Sequence, residues 1–474
     1  MTIPSLRVLR PIQEEIKHHF ESNNYTFKKL SELTKINSGH LYGVLKGERD
    51  LTVDQLDSIG KAFEQSAGWL YDLYIDECFP NGKIATRRVK DYLIHCAEIG
   101  RKDYIKLVVD RLPASYKTTN IFFDVAGILF RRGRQKESAY FYQLVIDNEK
   151  TNRTQRFVLS HYRLFLASVS EKTNTEEIWR AVAKFEPYWK RLEEGQQLDA
   201  LLQLAGCYKT LNRWVEVGKY ADKLLEQADS IYDQLYEKKR DKNKITKGFK
   251  LENNLVAYYG QGYMLKIISL ERQGLYEQAK VFVGYCTDLG WFELLDETGR
   301  VEVEKYKHFA LEYSFRLDML KGNTSMLYDY VEYLREYPDS VLSGLITILE
   351  SANKHGFIVD DVLDEFSDKI DSFGYDPTNV DYHLQFRYQF ALYLFKNGRF
   401  QEGIVETLRC FNLATILNSN RESIKCVAFF ETHREHATPQ QEQDYKLALR
   451  EVINDGRING CSYPPRKEHP SIKH

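Results

Sequence analysis

The chain has 474 residues, 43% of them hydrophobic, and its 66 Lys+Arg against 68 Asp+Glu give a net charge of -2. Wholesale disorder is excluded, and with no global basic excess any nucleic-acid signal must be local. Seven scattered cysteines without a CxxC, no long apolar run and no apolar leader after Met1 lead to the expectation of a reduced, cytoplasmic protein with no membrane association, metal or cofactor. Scarce proline and a 3.6-residue apolar period in nearly every long segment predict an all-α fold. A first helix is expected from Ile12 to Ser22, with Ile16 and Phe20 inward. Thr26 can cap a second helix, Phe27 to Thr34, whose Leu30 and Leu33 face the core. After a short turn, Ser38 to Lys46 form a third helix burying Leu41, Val44 and Leu45, stopped by Gly47 in a left-handed cap. Thr52 starts a fourth helix with Val53, Leu56, Ile59 and Phe63, and a fifth carries Trp69, Leu70 and Leu73. Short helices joined by so tight a turn make a helix-turn-helix pattern.

The stretch from Phe27 to Arg49 resembles the phage-repressor (Cro/XRE-type) DNA-binding domain. Leu30, Ile36, Leu41, Val44, Gly47, Leu56, Ile59 and Phe63 stand where that family keeps its core, and Trp69 to Leu73 match its closing helix. The resemblance implies that early residues of the third helix meet base edges, here Asn37, Ser38 and His40, with Tyr42 following. Thr26, Lys28, Lys29, Lys46 and Arg49 lie beside the groove. Residues 1–75 carry nine Lys+Arg against ten Asp+Glu, but the acids crowd the first and fourth helices. Gly39 and Gly43 leave few side chains to read bases, so a dimer spanning two half-sites is expected. The rival reading is a helical cap with no DNA role.

Asn81-Gly82 and the basic residues Lys83, Arg87, Arg88 and Lys90 read as a linker, 77–90, after a DNA-binding domain at 1–76. Beyond it a helix-turn-helix unit recurs weakly, with turns at Gly133, Asn212, Gly274, Gly322 and Gly398. An aromatic and then a small residue follow the turn in Tyr276/Ala279 and Phe400/Gly403, which resembles the tetratricopeptide repeat. The wide intervals between turns leave room for degenerate repeats, six to nine helix pairs in all across 91–455, with a frayed tail at 456–474. The fold expected is thus all-α: a helix-turn-helix domain followed by a right-handed tetratricopeptide-like α-solenoid. Taking the repeat register, Asn120, Asp199, Lys209, Gln261, Glu271, Gln385 and Tyr388 would face the concave groove, with Asn253 and Asn254 at the start of the Gln261 helix. Amides at such places pair with an extended peptide backbone, and charges select its side chains; ordinary hydrogen bonds between repeats are the competing use.

No nucleophile elbow, dinucleotide fingerprint or phosphate loop occurs, so no enzymatic activity is expected. His433 and His436 read as a solvated helix face, and the run Lys238 to Lys250 as a solvated basic loop. The architecture resembles the RRNPP regulators of Firmicutes, among whose longer members are the arbitrium receptors of phages. That resemblance implies a cytoplasmic homodimer, a short signalling peptide in the groove, and peptide-dependent binding of a double-stranded DNA operator. The last helices, with Val427, Phe429, Phe430, Tyr445, Leu447 and Leu449, are the expected dimer face. The alternative is a repeat domain that binds a protein partner instead of a peptide.

Overall fold

The computed structural model describes residues 11–170, 174–240, 249–372, 380–417 and 419–458. Among them every regular element is a helix, and the chain forms two compact units, Met1–Asn253 and Asn254–His474. No described helix is long and apolar enough to cross a membrane.

The first unit opens with α1 (Pro11–Ser22), α2 (Phe27–Thr34), α3 (Ser38–Leu45), α4 (Val53–Ala62) and the single turn α5 (Tyr71–Tyr74). The boundaries of α2 and α3 and the start of α4 have local causes. The Thr26 hydroxyl accepts from the Lys29 N–H at the start of α2, and Asn37 accepts from the Gly39 N–H at the start of α3. Thr52 and Gln55 form a reciprocal capping box on α4. Lys35 and Gly47, both at positive φ, end α2 and α3. Between α2 and α3, Thr34 donates to the Leu30 carbonyl at 2.7 Å and Ser31 to the Ile36 carbonyl at 2.6 Å, which pins the turn. This explains one departure from expectation: Thr34 takes the inward place one turn after Leu30, and Leu33 is left 53% exposed.

Two further single-turn helices, Ile75–Cys78 and Pro80–Gly82, lead to α6 (Thr86–Glu98) and α7 (Lys102–Arg111). Residues 77–90, expected as a linker, hold fully buried Cys78 and Val89. Arg88 pairs with Asp50 and Lys90 with Asp124, so two of the four basic residues there join elements together. One continuous apolar core runs from Ile12 through Tyr71, Tyr74 and Tyr92 to Val145. The unit continues with α8 (Tyr116–Arg131), α9 (Gln135–Asn148), α10 (Gln155–Val169), α11 (Thr175–Phe185), α12 (Glu194–Thr210) and α13 (Trp214–Arg240). Lys238, Lys239 and Arg240, expected in a loop, are the last turn of α13; 241–248 of that basic run lie outside the described residues.

The second unit holds α14 (Leu255–Arg272), α15 (Tyr276–Thr287), α16 (Glu297–Lys321), α17 (Leu327–Glu336), α18 (Val341–His355), α19 (Asp360–Glu365), α20 (Ser367–Ser372), α21 (Val380–Lys396), α22 (Phe400–Ile416), α23 (Asn420–Thr432) and α24 (Pro439–Ile458). Of the expected tail, 459–474 lie outside the described residues.

The five turns expected from the sequence share one geometry. Gly133, Asn212, Gly274, Gly322 and Gly398 all have positive φ. At each, the next N–H reaches back five residues: Arg134 to Leu129, Arg213 to Tyr208, Leu275 to Leu270, Asn323 to Asp318 and Arg399 to Leu394. That is the bond that satisfies a helix's last carbonyls. Gly100, between α6 and α7, makes the same turn, and α10–α11 is a further helix pair inside the interval between Gly133 and Asn212. The small residues after the turns act as expected: Ala279 is fully buried, and a Cβ on Gly403 would lie 2.7 Å from the Phe395 ring.

Candidate functional site

The side chains singled out on α2 and α3 are brought together. The Phe27 ring meets Tyr42 at 5.6 Å, so the first turn of α2 packs beside the middle of α3. Thr26, Lys28, Lys29, Asn37, Ser38, Tyr42, Lys46 and Arg49 are all exposed, and His40 is half-buried. Lys29 lies over the Tyr25 ring at 4.8 Å and Lys46 over Tyr42 at 5.7 Å, which holds both ammonium groups near α2 and α3 without an acidic partner in those contacts.

Arg49 is organised by His40 and by Gln55, the latter not among the residues expected from the sequence. Its guanidinium meets His40 Nδ1 at 3.3 Å, and His40 Nε2 meets Gln55 Oε1 at 3.3 Å. Arginine only donates, so Nδ1 is the acceptor and Nε2 carries the proton given to Gln55. Gln55 Oε1 also accepts from the Thr52 N–H at 3.1 Å, so the relay is anchored in the α4 cap. Gly43 is where the Arg49 stem rests: a Cβ there would lie 2.9 Å from Arg49 Cγ and Cδ. A glycine read as a missing base reader is therefore a seat for a cation. The Thr52-x-x-Gln55 capping pattern was the signal for Gln55.

The acidity of this region is partly neutralised within the fold. Asp50 pairs with Arg88. His95 on α6 places Nε2 at 2.9 Å from Asp54 and Nδ1 at 2.9 Å from Asp57. Tyr71 donates to the same Asp57 carboxylate at 2.8 Å. The hydrogen bond to Asp57 raises the His95 pKa against the opposing effect of burial.

The candidate peptide contacts are more dispersed. In the first unit, Asn120 accepts from Arg156, whose guanidinium also binds Glu149. Asp199 is buried on α12, whereas Lys209 and Asn253 are exposed. In the second unit, Asn254 donates to Asp296 at 2.7 Å and Thr298 at 3.2 Å, in the cap of α16. Glu271 is held by Arg316 through two bonds, at 3.0 and 2.9 Å. Gln261 Oε1 is buried with no hydrogen-bond partner among the described residues. Gln385 is exposed, and Tyr388 stacks on Phe429 at 5.1 Å with the Lys425 ammonium 4.5 Å from its ring. Asn254 and Glu271 thus serve contacts between helices, and Glu271, being buried, has to be satisfied where it stands. Two cavities, of about 770 Å³ beside α9 to α11 and about 560 Å³ beside α16 and α17, are lined by none of these candidates.

Two other expectations are corrected. Phe430 and Tyr445 are stacked at 3.9 Å in the core formed by α21 to α24, with Val427, Phe429 and Leu449 packed against it. Of the expected dimer face only Leu447 is well exposed: Phe429 packs on Tyr388 and Phe395 of α21, and α24 packs on α22. His433 and His436 are half-buried, each with one ring face covered, stacked on Phe395 at 4.0 Å and Phe400 at 4.1 Å respectively. Among the described residues no group of His, Cys, Asp and Glu is arranged to hold a metal.

No protein-family model matches the chain, and no curated protein matches it in sequence.

Proposed function

We propose that the chain is a DNA-binding transcriptional regulator of the RRNPP kind. In this reading α2 and α3 are a helix-turn-helix, and the helices from α6 onward are a tetratricopeptide-like array that binds a short signalling peptide and dimerises. The observation that carries it is the cluster of Lys28, Lys29, Lys46 and Arg49 around two capped helices, with Arg49 aligned through His40 and Gln55. Cations at helix ends fix a protein on phosphates, while exposed Ser38 at the start of α3 is suited to a base edge and His40, with both ring nitrogens engaged, aligns Arg49. The ion pairs of Asp50, Asp54 and Asp57 with Arg88 and His95 reduce the electrostatic objection to binding a polyanion.

The test is selection of a DNA site with the full chain, followed by titration against salt. Replacing Lys28 and Lys29 with Ala should weaken all sequences alike and flatten the salt dependence. Replacing Ser38 with Ala should cost about 1–3 kcal/mol for the lost base contact, and His40→Ala should weaken binding by releasing Arg49. If a chain lacking residues 1–76 binds the same site as the intact one, the reading fails. For the peptide, the buried open acceptor of Gln261 is the support, and calorimetry with peptides encoded beside the gene is the measurement, repeated on Gln261→Ala. The internal engagement of Asn254 and Glu271 favours the second reading, a protein partner on the array, which a stoichiometric partner insensitive to such peptides would establish.

A further inference from the structure

We propose that the cavity bounded by α9, α10 and α11 is a binding site for a small amphipathic anion, an apolar body carrying one carboxylate. It is lined by none of the residues assigned above to DNA or peptide, and does not depend on the function proposed above. Its volume is about 770 Å³, within the roughly 300–1,000 Å³ of small-molecule sites. α10 packs on both α9 and α11, and Ala139, Ala167 and Ala181 line the space between them. Short side chains from three helices leave the volume unfilled.

The lining has two chemistries. Leu164, Phe165 and Phe185 offer an apolar wall, with Phe165 and Phe185 stacked on each other at 4.8 Å. Arg180 and Lys184 bring two positive charges beside the single carboxylate of Glu177. The Arg180 ion pair with Glu176 is between two well-exposed side chains, a weak commitment. A ligand with an apolar body and one negative group matches this division, whereas a cation or a neutral hydrocarbon matches only part of it.

The third observation is His161, which also lines the cavity. Its Nε2 is buried with no hydrogen-bond partner among the described residues. The ring is fixed by stacking on Tyr188 at 4.3 Å and by the edge contact with Phe157 at 4.6 Å. Burial and the neighbouring Lys184 lower its pKa, so the ring is neutral and Nε2–H can donate to a carboxylate. A buried polar atom without a partner is a standing cost, and a ligand oxygen would remove it. Lys184 and His161 are therefore the two groups assigned to the anionic end.

Calorimetric titration of the full chain with decanoate, decanol and decylamine tests the assignment. Saturable one-to-one binding of decanoate, at least about tenfold tighter than either of the others, is expected. Lys184→Gln should weaken decanoate and leave decanol unchanged. Ala181→Leu, which fills the cavity, should abolish binding, and the thermal melt of each variant reports that it is folded. Should Ala181→Leu not fold, His161→Phe serves instead, removing the donor and keeping the ring contacts. Absence of saturable decanoate binding, equal binding of decylamine, or decanoate affinity unchanged in Lys184→Gln would each overturn the proposal.

Discussion

His95 shows how one side chain can couple parts of a fold through charge. Both ring nitrogens face carboxylates, Asp54 and Asp57 from α4, with Asp91 and Glu98 on its own helix and Tyr71 from α5 bonded to Asp57. Asp91 itself has a raised pKa, from burial first. Only the imidazolium can donate to both Asp54 and Asp57. Because the folded pKa lies above the ordinary 6.5, the stabilisation is fully present below that value and is lost as pH rises through the folded one. Urea melts across this range should therefore show stability of the first unit falling with pH, and His95→Gln should flatten the profile. At low pH that variant should be less stable by about 1.5–3 kcal/mol, the worth of hydrogen bonds between charged groups. A sloping profile in the variant would assign the pH dependence elsewhere. Gly260 makes a second prediction, from sterics alone. A Cβ there would lie 2.1 Å from the buried Tyr306 ring, so Gly260→Ala should cost about 1–3 kcal/mol through overpacking, read by denaturant titration.

Among the elements, the repeated turn is the most legible feature of this chain. Gly274 has φ 75° and an added Cβ would meet nothing within 4 Å, so the glycine is there for its backbone alone. Gly274→Ala should therefore cost about 1–2 kcal/mol, the penalty of left-handed backbone for an L-residue. Asn212 occupies the same conformation with φ 55°, and Asn212→Gly should be neutral or mildly stabilising. Equal losses for the two substitutions would mean that side-chain contacts, not φ, set these turns. The turns at Gly133, Asn212, Gly274, Gly322 and Gly398 could be read because a left-handed cap demands Gly or Asn. The one at Gly100 was missed because the residues after it lack the aromatic-then-small pattern of the better turns. Leu33 was misplaced for a different reason: on a two-turn helix Thr34 competes for the inward position by bonding the Leu30 carbonyl.

In the first unit as a whole, the core does not stop where composition suggests a linker. Tyr71 and Tyr74 pack on Tyr92 at 5.3 and 5.7 Å, and Tyr92 donates to the Tyr71 carbonyl at 2.8 Å. A fragment ending at residue 83 would leave that surface bare, so it should melt well below a fragment ending at Arg111, which retains α6 and α7. Circular dichroism melts of the two fragments check this, and equal midpoints would show that the N-terminal helices fold without α6. The sequence by itself determined the all-helical class, the helix starts at Thr26 and Thr52, and the five turns, because these depend on periodicity and on the backbone preferences of neighbouring residues. Only the tertiary structure decided which polar and aromatic groups remain open. It gave Asn254 to the α16 cap, Glu271 to Arg316, Phe430 to Tyr445 and Gly43 to the Arg49 stem. Those outcomes depend on partners distant in the chain: a buried polar group binds whatever donor or acceptor packing delivers, and no local pattern specifies which one arrives.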